Sequence, residues 1–199
     1  MENPGRNNTP INLLVAVTGA SGAIYAQRLL KKLESLRSEV ERVAVVFSKS
    51  GEDVWRHELG SDPDQLPFAR YQNNDFFTPP ASGSGKFNTM IIIPCTMGTM
   101  ASVAQGLADD LIARAADVML KERKKLIIVP REMPFNLIHI RNMEQITLAG
   151  GIICPAIPSF YHKPESLEDV VDSVVNKVLQ LAGFHIAAFA WGESPEESR

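Results

Sequence analysis

Small, hydroxyl-bearing and charged residues recur directly after apolar runs, and those junctions are where chemistry is most readily built. Gly19-Ala20-Ser21-Gly22 follows the run 13–17, Ser48 follows 43–47, and Pro94-Cys95-Thr96-Met97-Gly98-Thr99 follows 90–93. Pro130-Arg131-Glu132 follows 126–129, and Pro155-Ala156-Ile157-Pro158 follows 151–154. Glycines permit a tight bend at the first junction, where Ser21 and the amides of a following helix can meet a phosphate. The turn lacks a dinucleotide fingerprint: counted from Gly19, the second and third glycine positions hold Ser21 and Ile24. Ser48-Lys49 stand where an acidic residue would meet a ribose, so a mononucleotide such as FMN fits better than NAD. A nucleophile elbow is also excluded, because Gly22 follows Ser21 directly and Ala23 occupies the second glycine position.

Charges form a second group. Arg114 and Lys121 are seven apart in a helical pattern and share one face two turns apart, while Lys177 interrupts an apolar stripe. Proline on both sides, at 130 and 134, holds Arg131 and Glu132 as a cation and a carboxylate at a strand end. Neither His139 nor His162 has an i, i+4 partner, and Cys95 and Cys154 share no ligand spacing, so no metal site is expected and both thiols read as core residues. Phe76, Tyr161 and Trp191 lie in aperiodic segments, where they either fill core or interface space or wall an apolar pocket.

The elements that must position these residues alternate. Five short apolar runs alternate with amphipathic stretches, which implies a doubly wound α/β fold with a mostly parallel sheet of five to six strands, covered on both faces. Helices are expected behind the first turn, through Val54 and Trp55, over 99–123 with a break near Gly106, and over 140–148. The last helix carries Pro164 ahead of it, Ser166 as N-cap, a stripe of Val170, Val174, Val178 and Leu181, and Gly183 as its stop. A length of 199 residues with 45% hydrophobic and 22% charged residues predicts one domain over 1–199, with flexible ends at about 1–11 and 193–199. The stretch 60–88 reads as a long active-site or interface loop. A net charge of −3 with no basic run longer than Arg123-Lys124-Lys125 argues against nucleic acid. The polar residues 1–10 and the lack of an 18-residue apolar run predict a cytoplasmic protein without a membrane span.

Taken together, Val17-Thr18-Gly19-Ala20-Ser21-Gly22-Ala23, Pro79-Pro80-Ala81-Ser82-Gly83-Ser84, Pro94 to Thr99, Lys121-Glu122-Arg123, Val129-Pro130-Arg131-Glu132 and Pro158-Ser159-Phe160-Tyr161-His162 resemble the flavin prenyltransferases. This is the UbiX-type family, formerly called aromatic acid decarboxylases, and the resemblance runs collinearly from about 12 to 192. It implies a flavodoxin-like subunit in a homo-oligomer, commonly a dodecamer, with active sites at subunit interfaces. The implied reaction joins a dimethylallyl group from dimethylallyl phosphate to N5 and C6 of reduced FMN, giving prenylated FMN for UbiD-type decarboxylases. The resemblance places Gly19, Ala20, Ser21, Ser48, Thr96, Met97, Gly98, Thr99 and Arg131 on FMN. It places Arg114, Lys121, Tyr161 and Lys177 around the prenyl phosphate, Phe76 and Trp191 against the prenyl group, and Glu132, Glu58 and Lys121 in the catalytic cluster. Thr96 stands where serine is usual, Phe76 where tryptophan can occur and Lys177 where arginine is common. The alternatives are an FMN-dependent cysteine decarboxylase of the phosphopantothenoylcysteine type, whose Pro-x-Met-Asn motif is met here only by Pro134-Phe135-Asn136, and a non-catalytic FMN-binding protein.

Overall fold

The structure is a computed structural model that describes residues 10–186. Six strands, β1 (Ile11–Val17), β2 (Val40–Phe47), β3 (Ala69–Tyr71), β4 (Thr89–Cys95), β5 (Lys125–Pro130) and β6 (Ile152–Ile153), form one sheet in the order β3-β2-β1-β4-β5-β6. Every neighbouring pair is parallel. Setting aside the three-residue edge strand β3, the other five run second, first, third, fourth, fifth, the flavodoxin-like order whose switch point lies between β1 and β4.

The continuous apolar strands follow from burial on both faces. Alternate residues Leu13, Val15, Val17, Ile91, Ile93, Ile127 and Val129 pack under α1 (Ala23–Ser35), α2 (Lys49–Leu59) and α6 (Leu167–Ala182). The interleaved Leu14, Ala16, Met90, Ile92, Leu126 and Ile128 pack under α3 (Met97–Ala104), α4 (Leu111–Lys121) and α5 (Leu137–Leu148). Each such Leu or Ile contributes about 1.5–3 kcal/mol through burial, so both layers are held firmly to the sheet. Capping side chains set where the helices begin: Ser48, Thr96, Asp110 and Ser166 each accept from an amide three residues on. The helical region expected over 99–123 is indeed two helices, with the break at 105–110, and the last helix ends at Gly183 in a left-handed C-cap.

The stretch 60–88 departs from the expected irregular loop. It contains short 3₁₀ turns at Pro63–Gln65 and Pro79–Ala81 and the edge strand β3 between them. Ala-Arg-Tyr is too short to show a period of two, and its pairing comes from tertiary contacts. Arg70 forms ion pairs with Glu52 and Asp64, and its guanidinium lies 5.2 Å from the centroid of the Phe47 ring. The segment then crosses the carboxyl end of the sheet, where the Asn73 carbonyl and side chain accept from the first amides of α4, and descends along that helix to β4. Ile11, placed among the expected flexible residues, already belongs to β1; 193–199 lie outside the described residues.

Candidate active site

At the switch point the turns after β1 and β4 are joined through one hydroxyl. Thr18 Oγ1 donates to the Pro94 carbonyl at 2.8 Å and accepts from the Thr96 amide at 2.8 Å, deep enough that only 1% of Thr18 is exposed. Beside this joint stand the N-termini of α2 and α3. Ser48 Oγ accepts from the Gly51 amide and lies 3.2 Å from Ser50 Oγ, while Thr96 Oγ1 accepts from the Thr99 amide and donates to Thr99 Oγ1. A side chain at Gly98 would meet nothing nearer than Thr96 Oγ1 at 4.0 Å, which leaves open space over the first amides of α3. Hydroxyls, helix N-terminal amides and that open space suit the phosphate and hydroxylated chain of FMN.

The first turn is arranged differently from the phosphate cradle expected there. Gly22, at φ 106°, turns its amide and that of Ala23 toward the side chain of Glu58 on α2. The carboxylate accepts from them at 2.9 and 2.8 Å. Burial opposes its ionisation, but the Ser21 hydroxyl, the two amides and the charge of Arg131 outweigh burial and hold the carboxyl below its usual range. An anion therefore already fills the N-terminus of α1, and a ligand phosphate is directed to α3 and α2 instead. Arg131 closes the turn by donating from Nε to the Ser21 carbonyl at 2.8 Å. Next to it Glu132 is exposed at the end of β5, accepting from the Met133 amide. Gly19, Ala20, Ser21, Ser48, Thr96 to Thr99, Arg131, Glu132 and Glu58 thus gather along one edge. Thr18 and Ser50 belong with them; only a hydroxyl immediately ahead of the glycine turn hinted at the first.

The remaining candidates separate. Lys177 lines a cleft of about 560 Å³ between α6 and the segment after β6, with Cys154, Ser159, His162 and Asp172. Tyr161, in that segment, is 69% exposed. The cleft adjoins β5, because the Cys154 and Ala156 amides donate to the Ile128 and Pro130 carbonyls. Burial raises the pKa of the Cys154 thiol, with the Lys177 charge opposing, and burial, against a Met100 backbone hydrogen bond, pushes the Cys95 thiol far above its ordinary value; Cys95 is a core thiol as expected, whereas Cys154 is only partly buried and borders the cleft. Arg114 and Lys121 occupy the opposite face of the sheet on α4. Arg114 donates to the Ala81 carbonyl and pairs with Asp117, and Lys121 pairs with Glu122 beside Gly83. Lys121 lies just ahead of β5, whose length sets it about 17 Å from the edge that carries Arg131. Phe76 sits on the crossing segment, 42% exposed, and Trp191 lies outside the described residues. Among the described residues no group of three or more His, Cys, Asp or Glu is placed to hold a metal, and no helix is long and apolar enough to cross a membrane.

A flavodoxin-like sheet with a hydroxyl-lined anion cradle at its switch point defines a flavoprotein, and a family model described as Flavoprotein matches residues 1–179. The flavin prenyltransferase UbiX of Methanocaldococcus jannaschii is 44% identical over 186 residues, covering 92% of this chain and 99% of the relative. The crystal structure of AnUbiX (PadA1) in complex with FMN and dimethylallyl pyrophosphate superposes with a TM-score of 0.83 at 40% identity, covering 88% of this chain and 93% of the other. A dodecameric FMN-dependent UbiX-like decarboxylase from Escherichia coli O157:H7 gives 0.87 at 37% identity, covering 92% and 100%. The chain belongs to the flavoprotein family and, within it, to the UbiX-type flavin prenyltransferases.

Proposed function

We propose that the protein transfers a dimethylallyl group from dimethylallyl phosphate to N5 and C6 of reduced FMN, without a metal, and that the prenylated flavin serves UbiD-type decarboxylases in the cytoplasm. The observation that carries this reading is the cradle of Thr96, Thr99, Ser48 and Arg131 at the switch point of a chain related along its length to flavin prenyltransferases. FMN supplies the nucleophilic nitrogen and ring carbon; the residues supply binding, charge and a proton route. Loss of an allylic phosphate leaves a cation and an anion, which calls for donors at the phosphate and π faces in place of water around the cation. Lys177 lines the cleft that adjoins the end of β5, Tyr161 lies in the segment that forms its other wall, and Glu132 is the carboxylate suited to take the ring proton. The phosphopantothenoylcysteine-type and passive-binder alternatives are not favoured, since curated relatives 41–44% identical along most of the chain are named flavin prenyltransferases.

Arg114, Lys121 and Phe76 join the same site through a second copy of the chain, because one chain carries them on the far face and on the crossing segment. The surface supports such assembly: Met133, Leu137, Ile138, Ile140 and Leu148 of α5 and its approach are 52–87% exposed, an apolar face that a neighbouring subunit would cover. A dodecamer fits this surface. Anaerobic incubation with FMN, dithionite, dimethylallyl phosphate and EDTA, followed by mass spectrometry of the extracted flavin, tests the reading. A flavin heavier by the dimethylallyl group supports it; unaltered FMN, or product only after magnesium is restored, refutes it.

A further inference from the structure

The cleft of Lys177 holds a second group able to become a cation. His162 lines it beside Lys177, together with Asp169, Asp172 and Cys154. The turn that carries His162 is pinned to α6 on both sides. Ahead of it the Ser159 amide donates to Ser173 Oγ at 3.2 Å, and behind it the Glu165 and Ser166 amides donate to Asp169 Oδ2 at 3.1 Å. Within the turn the Lys163 amide returns to the Phe160 carbonyl at 3.0 Å, with Lys163 in the left-handed region at φ 52°. The capping box that starts α6 therefore also fixes where His162 stands at the cleft.

We propose that His162, in its protonated form, is a second cation for the phosphate of the prenyl donor, so that the cleft holds the donor more weakly as the solution turns alkaline. The inference rests on the reading of this cleft as the donor site. Among the described residues that line it, Lys177 is the one permanent cation, and an ammonium is a point charge. A phosphomonoester dianion brings two charges and three terminal oxygens, which a single ammonium leaves half matched. Both carboxylates of the cleft are already engaged. Asp172 takes Arg28 and Lys32 of α1 at 2.6 and 2.9 Å. At the start of α6 the Ser166 side chain, the Glu165 and Ser166 amides and the His162 charge hold the Asp169 carboxyl below its usual range, against burial. An incoming dianion thus meets an ionised Asp169, and a charged imidazole offsets that repulsion. Burial keeps the Cys154 thiol protonated, and Lys163 and Glu165, on the same segment as His162, are exposed and opposite in charge. Histidine is the side chain whose charge is gained and lost between about pH 5 and 8, so the second contact is present in mildly acid solution and absent in alkaline.

The test is calorimetric titration of dimethylallyl phosphate into the protein loaded with oxidised FMN, where no transfer follows, at about pH 6 and about pH 8.5. Wild type and variants are compared at the same pH, so the donor's own ionisation cancels. His162→Gln should bind roughly tenfold or more weakly than the wild type near the lower pH, the scale of one charge-assisted hydrogen bond, and within about twofold of it near the higher. His162→Lys, a permanent cation, should bind more tightly than His162→Gln in alkaline solution. A residue that merely shaped the turn would cost the same factor at both pH values. An equal loss at the two, no loss at either, or a His162→Lys no tighter than His162→Gln overturns the proposal. So does unchanged donor affinity in Lys177→Ala, which would put the phosphate outside the cleft. If the wild type binds the donor in this pattern but forms no prenylated flavin from reduced FMN, the transferase reading fails and the assignment of His162 stands.

Discussion

The carboxyl edge of the sheet and the outer face of α4 both carry candidate site residues, yet they are built in opposite ways. At the edge, the candidates are backbone turns and short hydroxyl side chains, each tied to another element: Thr18 to Pro94 and Thr96, the Ser21 carbonyl to Arg131, and the Gly22 and Ala23 amides to Glu58. On α4 and just beyond it the candidates are long cations: Arg114 bonds the Ala81 carbonyl and pairs with Asp117, Lys121 pairs with Glu122, and Lys124, three residues past the helix, reaches the carbonyls of Gly83 and Gly85. The bonds of the first region all form within one chain. The second has no ligand edge within reach, since the sheet lies between it and the cleft of Lys177. On the proposed reading, the seat formed by turns and strand ends lies within one chain, while the cations of α4 come into use when another copy brings an edge to them.

Separating the two regions genetically gives the largest effect. Glu132→Gln should cut product formation by ~10²–10⁴-fold with FMN still bound, as expected when a general base is lost. Lys121→Ala should be similarly inactive for a different reason. Co-assembling the two inactive variants should then restore about a quarter of wild-type activity, because random pairing across a symmetric interface leaves that share of sites intact. No recovery in mixed assemblies would place both residues in one copy and break the comparison.

The edge can be probed through its joint. Thr18→Val leaves the Thr96 amide without its partner in a dry position, and should cost about 1–3 kcal/mol, lowering Tm by several degrees and weakening FMN binding. Calorimetry with and without FMN measures both, and an unchanged Tm would show that the turns are held by other means. On the cleft side, Lys177→Ala should raise the KM for dimethylallyl phosphate by roughly tenfold and leave FMN affinity nearly unchanged, one charge-assisted contact being lost. Equal weakening of both ligands would put Lys177 in the flavin seat.

The smallest effect is a pH dependence. Burial opposes ionisation of Asp172, but Arg28 Nη2 at 2.6 Å and Lys32 at 2.9 Å outweigh it and hold its carboxyl below the usual range. A depressed carboxyl adds stability that is full above its unfolded pKa and is lost as pH falls through the folded one. Stability should therefore decline below about pH 4, and the decline should be shallower in Asp172→Asn. Identical acid profiles for the two proteins would show that the clamp between α1 and α6 adds nothing.

Strand and helix placement was legible in the residues because it follows from local periodicity. Continuous apolar runs mark strands buried on both faces, and Ser166 marks a helix start by capping chemistry that acts over three residues; Ser48 and Thr96, read only as ligand-facing hydroxyls, cap α2 and α3 in the same way. The junction residues were legible for the same reason: in a parallel sheet every strand end points to one edge. Four matters were decided only by tertiary structure. The strand β3 pairs with β2, 25 residues earlier by register, and Arg70 within it meets Glu52, Phe47 and the nearer Asp64. Glu58 reaches the first turn from another helix, 36 residues beyond Gly22, and displaces the expected phosphate seat. Thr18 becomes the joint of the site through a bond to Pro94, 76 residues away. Arg114 and Lys121 fall on the face opposite Lys177, because crossover connections decide which side of the sheet each helix covers. Spacing along the chain encodes which residues share an element; which elements share a site depends on strand order and packing across the sheet.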